Sequence, residues 1–551
     1  MTTSRWPRLA ALYALLAALA IAVAITAAPP DVVSVDAPAR EFSGARALAT
    51  VRELTATGLP HPPGSADHAR IQGVIVDRLR ALGLAPELQP ARECGRGGCV
   101  DIVNIVARIP GAEPGPALLL AAHYDSVPAG PGASDDGAGT AAVLEIARAL
   151  LADPAPRRSV ILLLDDGEEL GLFGARAFVR AHPWAPEIGV ALNFEARGTG
   201  GQTAMFETSS RSADLVEAYG RAAKRPVASS VIYTLYKQLP NDTDLTVFKA
   251  AGMRGLNFAF ADRVWEYHTP RDTADALDPR SLQHMGDQGL AAARALVAQG
   301  SGREGTDESV YFDLFARTLV IYRARWVRPL AIAAALLAAI ALAFAVRRKR
   351  ASVLGVAAAT GLAFGTLVVA AVAGVVMATA IGAVHGPLLP WSPAPTGPWI
   401  ALVAAGVAAS TALGAVVPKL CPLTRLGGVL ALWTAVALLV SFAAPGASYL
   451  FVLPTFALGA ALLAAVRFAR DDAAAPGWLV SLAPVALTAL LWFPLLRILL
   501  VMVGAGLSPT ATVPAAFVAM TAMPLLASFS GRLRWATPLT AGAVALVLLL
   551  L

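Results

Sequence analysis

From Pro329 to Leu551 the chain is Ala-, Leu- and Val-rich and nearly free of acid, a composition outside the range of water-soluble domains. A bilayer core about 30 Å thick is crossed by about 20 apolar residues of helix. Runs at Val327–Val346, Val353–Ile381, Trp399–Val417, Gly427–Ala443, Tyr449–Phe468, Trp478–Val503, Ala511–Phe529 and Ala536–Leu551 suit such crossings. An earlier run, Leu9–Ala28, follows Arg5 and Arg8 and brings the expectation to about nine spans. It is longer than the apolar region of a signal peptide and reads as an uncleaved anchor, with cleavage within "ITAAPP" the competing reading.

Charged residues gather instead between Asp31 and Arg328, although only 15% of the whole chain is charged and 56% is hydrophobic. The expected organisation is an N-terminal transmembrane anchor over residues 1–30, a water-facing domain over 31–324, and an all-α polytopic membrane domain of about eight helices over 325–551. The formal charge of +6 does not point to nucleic acid. The excess basic residues lie in short clusters beside apolar spans, and no basic stripe is interleaved with aromatics.

Those clusters carry topology. Arg347, Arg348, Lys349 and Arg350, then Lys419 and Arg425, then Arg467 and Arg470, then Arg532 and Arg534 all fall on one side of the alternating map. The opposite connections, "GAVHGPLLPWSPAPTGP", "APGAS" and "GAGLSPTAT", hold neither Lys nor Arg. The basic side is then cytoplasmic, which puts the N-terminus inside and both the water-facing domain and the C-terminus outside, on the periplasmic or luminal side. Arg323, Arg325 and Arg328 flank the second span on its outer side and run against the bias. Arg497 reads as a side chain snorkelling to the outer interface, a functional polar site being the alternative. Cys94 and Cys99, in "CGRGGC", lie in the outer domain, where an oxidising compartment permits a small-loop disulfide; half a zinc knuckle would lack its second pair of ligands. Cys421 falls in a cytoplasmic loop and is expected to be reduced. The bilayer is thus a partner, and nothing in these patterns specifies an oligomeric state.

Within the outer domain, "SADHARIQGVIVDRLRALG" (65–83) has helical spacing and a glycine stop. "DIVNIVARI" alternates like a half-buried strand, while "PALLLAA", "SVILLLD" and "IGVALNF" are continuous apolar runs of strand length, suited to central strands covered on both faces. "GAGTAAVLEIARALL" and "GARAFVRAH" read as helices between them, so the fold class is α/β with parallel central strands. Ligands of such sheets bind outside the C-terminal strand ends. Each central run ends in chemistry of one kind: His123 and Asp125, then Asp165, Asp166, Glu168 and Glu169, then Glu195.

Residues two apart at a strand end share a face, so His123 and Asp125 in "HYD" can act together, one holding a metal and the other fixing its partner's tautomer. Asp135 follows in a Gly-rich loop where it can bridge two cations, and Asp136 is placed to cap the next helix. Adjacent Glu168 and Glu169, in "DDGEELGLFGA", project differently, so one can bind metal while the other handles a proton. Glu195 in "NFEARGTGG" and His268 in "EYHTPRDT" complete a set of nitrogen and oxygen ligands. Singly each has a bland reading: an H-x-D pair is weak, paired glutamates are usually solvated, and Asp-Asp-Gly is usually a turn. Their joint position at the ends of apolar strands is what the bland readings leave unexplained. His61, His68, His182, His284 and His385 lack that context.

The ordered signature "HYDS", "GASDDGAG", "EELGLFGA", "NFEARG" and "YHTPRDT" resembles the di-zinc aminopeptidases typified by bacterial secreted leucyl aminopeptidases, a group that includes glutamate carboxypeptidases and glutaminyl cyclases. The likeness covers about Glu41–Ala298. With many spans following, it is most similar to the endoplasmic-reticulum metallopeptidase and vacuolar membrane protease branch. The resemblance implies a zinc-exopeptidase-like three-layer domain with a mostly parallel mixed sheet, a peptide substrate and two zinc ions per chain. His123 and Glu195 would bind one ion, Glu169 and His268 the other, and Asp135 both. Asp125 would support His123, Glu168 would be the general base, and the bond after Asp135 would be cis. Glu195 departs from the aspartate of many soluble members. The implied activity is aminopeptidase-type hydrolysis, the alternatives being a glutaminyl-cyclase-like acyltransferase or a catalytically inactive binding or assembly subunit.

The loop-charge bias yields a direct expectation. A reporter fused after Leu551 is active outside the cytoplasm and one fused near Arg350 is active inside; reversed activities would overturn the orientation.

Overall fold

The computed structural model describes residues 6–550 apart from 96, 301, 303, 306, 387–395, 418–419, 469–475, 504–507 and 528–530. The chain divides into two compact units, Thr26–Ala324 on one hand and Met1–Ile25 with Arg325–Leu551 on the other.

The strands of the first unit are β1 (Glu87–Gly95), β2 (Gly98–Ile109), β3 (Ala117–His123), β4 (Val160–Asp165), β5 (Ile188–Ala196), β6 (Ala204–Thr208), β7 (Arg254–Phe260), β8 (Ser309–Leu314) and β9 (Thr318–Arg323). The first seven form one sheet in the order β1-β2-β4-β3-β5-β7-β6, and β8 and β9 form a separate hairpin. The four central strands β4, β3, β5 and β7 run parallel, and antiparallel strands complete both edges. Every residue of β3, β4 and β5 is buried. That is why their sequences read as unbroken apolar runs rather than alternating ones.

Alternation nonetheless sorts their side chains between two layers. Leu118, Leu120 and Ala122 of β3 pack with Ile146 of helix Gly137–Leu151 and Leu290 of helix Pro279–Gln299. Leu119 and Ala121 face the other way, toward Phe178 of helix Phe173–Ala181 and Phe248 of helix Asp244–Ala250. The result is a three-layer α/β domain. Each leucine fully buried in this way contributes about 1.5–3 kcal/mol.

Two helix starts follow from their caps. Ser65 accepts the His68 N–H and opens helix Ala66–Ala81, and Asp136 accepts the Gly139 N–H and opens Gly137–Leu151. Cys94 and Cys99 face each other across the β1–β2 hairpin and are joined by a disulfide.

Among the described residues, seven helices, lying almost entirely in the second unit, are long and apolar enough to cross a membrane: Pro7–Thr26, Ala324–Arg347, Val353–His385, Gly397–Val416, Pro422–Ala443, Tyr449–Phe468 and Pro509–Leu526. Two of the expected spans correspond to shorter described apolar stretches, Val480–Leu496 and Leu533–Leu549. Arg425, read from sequence as a loop charge, lies instead in helix Pro422–Ala443 and is 3% exposed. Its guanidinium donates to the carbonyls of Gly414 (2.8 Å), Val417 and Leu420 (3.3 Å), and so satisfies carbonyls at the end of the preceding helix. Cys421 is a free, exposed cysteine. Lys419, Arg470 and the Arg497 side chain lie outside the described residues.

Helix Pro279–Gln299 is tied by His284, which is 1% exposed, to the residue before β6 and to the loop after helix Ala213–Ala222. Its Nδ1 accepts the Thr203 N–H at 3.1 Å and its Nε2 donates to the Arg225 carbonyl at 3.0 Å, so the neutral tautomer is the one that fits. Burial, reinforced by the nearby Arg225 guanidinium and opposed by the bond to the Arg225 carbonyl, pushes its pKa down to about 4. The unfolded chain therefore takes up this proton first, and stability is lost as pH falls from about 6.5 toward about 4. Compared with His284→Gln, the full chain in detergent should lose on the order of 3 kcal/mol more across that window, read from unfolding curves at pH 8 and pH 4.

Candidate metal centre

Three parallel strands deliver the site at their C-terminal ends. His123 is the last residue of β3, Glu195 the last but one of β5, and Asp165 of β4 pairs in register with His123. The loop after β4 turns at Gly167, whose φ of 75° suits glycine, and presents Glu168 and Glu169. The loop after β3 carries Asp135, and the segment after β7 carries His268. Gly130 brings these last two together, since a Cβ there would lie 2.2 Å from the Thr269 carbonyl oxygen. The Asp135–Asp136 peptide is cis, and His268 has a φ of 56°, the left-handed region that a β-substituted residue rarely occupies.

The side chains meet in two triplets, His123 with Asp135 and Glu195, and Asp135 with Glu169 and His268, the ligand atoms of each lying within 4.8 Å of one another. His123 Nε2 is 3.4 Å from Asp135 Oδ1 and 3.9 Å from Glu195 Oε2. His268 Nε2 is 3.0 Å from both Asp135 Oδ2 and Glu169 Oε1. Asp135 thus offers one oxygen to each group.

Asp125 stands behind them and does more than its spacing suggested. It lies against His123, with Nδ1 3.1 Å from its carbonyl and 3.3 Å from Oδ1, and its two carboxylate oxygens accept the N–H groups of Glu168 (3.0 Å) and Glu169 (3.3 Å). One carboxylate therefore registers the first histidine against the loop that bears both glutamates.

Two supports were not singled out from sequence. Asp272, four residues after His268, accepts the N–H groups of Ser134 (2.8 Å) and Asp135 (3.1 Å) and ties the bridging loop to the histidine segment. Its place in "YHTPRDT" was the available signal. His68, set aside for lack of context, reaches the loop from helix Ala66–Ala81. Its Nε2 lies 2.8 Å from Asp166 Oδ1, its ring stacks on Tyr124 at 5.0 Å, and Asp166 also accepts the Val103 N–H. Nothing local in sequence connects residue 68 to 166.

The electrostatics are those of an acidic nest. Burial works to lower the His123 pKa, yet Asp125, Asp135 and Glu168 prevail and raise it well above the ordinary value. Burial opposes ionisation of Asp135, but the two histidines bring it down to about 2. Burial and then Asp135 raise Glu169 to about 7, with His268 opposing. For His268, burial is again outweighed by Asp135 and Glu169, which lift it to about 10. Among the described residues no Lys or Arg pairs with Asp135, Glu168, Glu169 or Glu195.

Asp135 Oδ2, Glu169 Oε1 and His268 Nε2 are buried without hydrogen-bond partners although they converge. Buried polar atoms are normally satisfied. A donor set of imidazole nitrogens and carboxylate oxygens, each with a free lone pair aimed inward, fits zinc.

Residues 104–293 match the model for peptidase family M28. The chain is 35% identical over 238 residues to endoplasmic reticulum metallopeptidase 1 of Mus musculus, a match covering 41% of this chain and 26% of that protein. It is 37% identical over 215 residues to the vacuolar membrane protease of Candida dubliniensis, covering 38% of this chain and 23% of that one. It thus spans about a quarter of the length of these relatives. Similar solved structures include a Zn-dependent exopeptidase from Parabacteroides distasonis (22% identity, TM-score 0.39, 47% of this chain and 99% of that one) and a glutaminyl cyclase from an Acidobacteriales bacterium (24%, 0.39, 49% and 99%). This chain carries a peptidase family M28 metallopeptidase domain, homologous to endoplasmic reticulum metallopeptidase 1 and to the vacuolar membrane protease.

Proposed function

We propose that this protein is a membrane-anchored zinc metallopeptidase that hydrolyses peptide bonds as an aminopeptidase, with its peptidase domain on the extracytoplasmic side and its N-terminus in the cytoplasm. The observation that carries the reading is the pair of ligand triplets sharing Asp135, one buried and one half-buried, with partnerless oxygens and nitrogen of the second turned inward. His123 and Glu195 would hold one zinc ion, Glu169 and His268 the other, and Asp135 would offer an oxygen to each. The excess of carboxylate around them matches a substrate that presents a free α-amine.

Zinc, when bound, supplies Lewis acidity toward a peptide carbonyl and toward water. The remaining steps belong to the chain's own groups. Glu168 accepts the proton of the hydrolytic water at its carboxylate and delivers it to the departing amine, a role that contributes about 10²–10⁴-fold. Burial raises the Glu168 carboxyl well above the ordinary range; His123 opposes this, while Glu195, Asp244 and Glu169 add to it. A carboxyl raised in this way accepts a proton more readily than an exposed glutamate, which suits a group that takes one up and passes it on. Asp125 keeps Glu168 and Glu169 in register with His123 through the two backbone N–H groups it accepts.

Removing metal from the full chain in detergent with a chelator should abolish cleavage of fluorogenic aminoacyl substrates, and added zinc should restore it; activity that survives complete metal removal would end the reading. The two adjacent glutamates should then separate. Glu168→Gln keeps shape and ligands, so turnover falls by about 10²-fold or more with zinc content unchanged. Glu169→Gln removes an anionic ligand, so its loss of activity comes with weaker zinc retention and is partly recovered by added zinc. Identical zinc and turnover profiles for the two variants would show that base and ligand are misassigned.

A further inference from the structure

Two apolar strands carry the same interruption. β5 contains "LNF" at 192–194 and β7 contains "LNF" at 256–258, and their asparagines, Asn193 and Asn257, pair in register and are fully buried. Glu207 of β6 pairs in register with Asn257 from the other side and is 1% exposed. A polar line thus crosses three adjacent strands at one level of the sheet. Asn193 lies two residues before Glu195, on the same face of β5. The roles already assigned use none of these three residues.

Counting donors fixes the direction of the line. Asn257 Nδ2 donates to Glu207 Oε2 at 3.0 Å and to Thr243 Oγ1 at 2.8 Å, which uses both of its hydrogens. Its Oδ1 therefore faces β5, where it accepts from Asn193 Nδ2 at 3.2 Å. The other hydrogen of Asn193 Nδ2 goes to Glu195 Oε1 at 3.2 Å. At the outer end, Lys249 Nζ donates to Glu207 Oε1, and the Lys249 side chain is 25% exposed. Inverting the two amides would set an oxygen of Asn257 against Glu207 and an oxygen of Asn193 against Glu195. Both contacts are repulsive, and in a dry interior they are costly.

We infer that the Lys249–Glu207 ion pair, acting through Asn257 and Asn193, determines which oxygen of Glu195 is presented to a metal ion. Oε1 is held by the Asn193 amide, and Oε2 is the oxygen that faces His123 Nε2, 3.9 Å away. Without that amide the two oxygens of a glutamate are equivalent, and its long arm gains rotamers that an aspartate does not have. Lys249, Glu207, Asn257 and Asn193 are positioning residues for one ligand, and this role rests on the zinc reading proposed above. The Asn193 Oδ1 atom, buried and without a partner, is what the arrangement leaves unsatisfied.

The test is zinc retention by the full chain in detergent, titrated against a chelator and read as ions per chain. Wild type should hold two ions. In Glu207→Gln the glutamine oxygen turns to Lys249 and its amide opposes Asn257 Nδ2, so one of the two ions should be held about 10–100-fold more weakly while the other is unchanged. Adding Lys249→Met to that variant frees the glutamine oxygen to accept from Asn257, and retention should return toward wild type. A merely structural role would give no such rescue. Asn257→Leu should weaken the same ion; if that variant does not fold, the Glu207→Gln variant and its rescue decide. Wild-type retention in Glu207→Gln, equal weakening of both ions, or no rescue by Lys249→Met would overturn the inference and leave the peptidase reading intact. A wild-type chain that binds no zinc would overturn both.

Discussion

Buried carboxylate is the constraint on which the rest of this domain depends. Asp125, Asp135, Asp136, Asp165, Asp166 and Glu195 are each less than 9% exposed, and Glu168 and Glu169 adjoin them. An uncompensated charge in such surroundings costs several kcal/mol. The fold answers with hydrogen-bond donors that cannot wander. Asp125 is met by two loop N–H groups, Asp272 by two more, Asp136 by the first turn of a helix and Asp166 by His68 and the Val103 N–H. Glu169 Oε1 and one oxygen of Asp135 are left without such donors and have only a histidine between them; one oxygen of Asp136 and both oxygens of Asp165 and Asp244 also lack a donor. Backbone and side-chain donors thus meet Asp125, Asp272 and Asp166, while between Asp135, Glu169 and His268 a divalent cation would supply the compensation.

Parallel strands make this distribution possible. β4, β3 and β5 end side by side, so a single level of the sheet collects Asp165, His123 and the start of the Glu195 turn without long excursions of chain. The loops that leave those ends are tightly held, by Gly167 at its left-handed φ and by the close approach of Gly130 to Thr269. Position at the strand ends comes from secondary structure, and orientation comes from backbone amides. Side-chain contacts between titratable groups are then free to serve ligand binding.

The same division explains what could be read in the sequence. β3, β4 and β5 were legible because burial on both faces leaves an unbroken apolar run, and helices Ala66–Ala81 and Gly137–Leu151 because their caps and periodicity agree. β1 was not, since it is an edge strand with Pro90 in it and mostly exposed residues, and its pairing is decided by the hairpin rather than by its own pattern. The residues that converge in the two triplets were visible because each sits in or beside an apolar run that a charge interrupts. His68, Asp272 and the Asn193–Asn257–Glu207 line were not, because their meaning lies in partners 98, 137 and 50–64 positions away. Arg425 shows the converse: it reads in sequence as a loop charge, while in the fold it lies in the first turn of a helix and donates to carbonyls at the preceding helix end.

Glu195 brings these threads together. A glutamate at the end of β5 has one more rotatable bond than an aspartate, and ordering a long polar side chain costs up to about 2 kcal/mol of entropy on some scales. The longer arm reaches toward His123 from a strand whose main chain ends at Ala196, and the amide of Asn193 supplies the second point of attachment that the extra bond requires. That amide could not do so if it were free to invert, and it is kept from inverting by a charge pair whose glutamate lies two strands away, on the edge strand β6. The preference for glutamate over aspartate at this position and the two asparagines buried in apolar strands are then one feature: a longer ligand together with the fixed polar line that holds it.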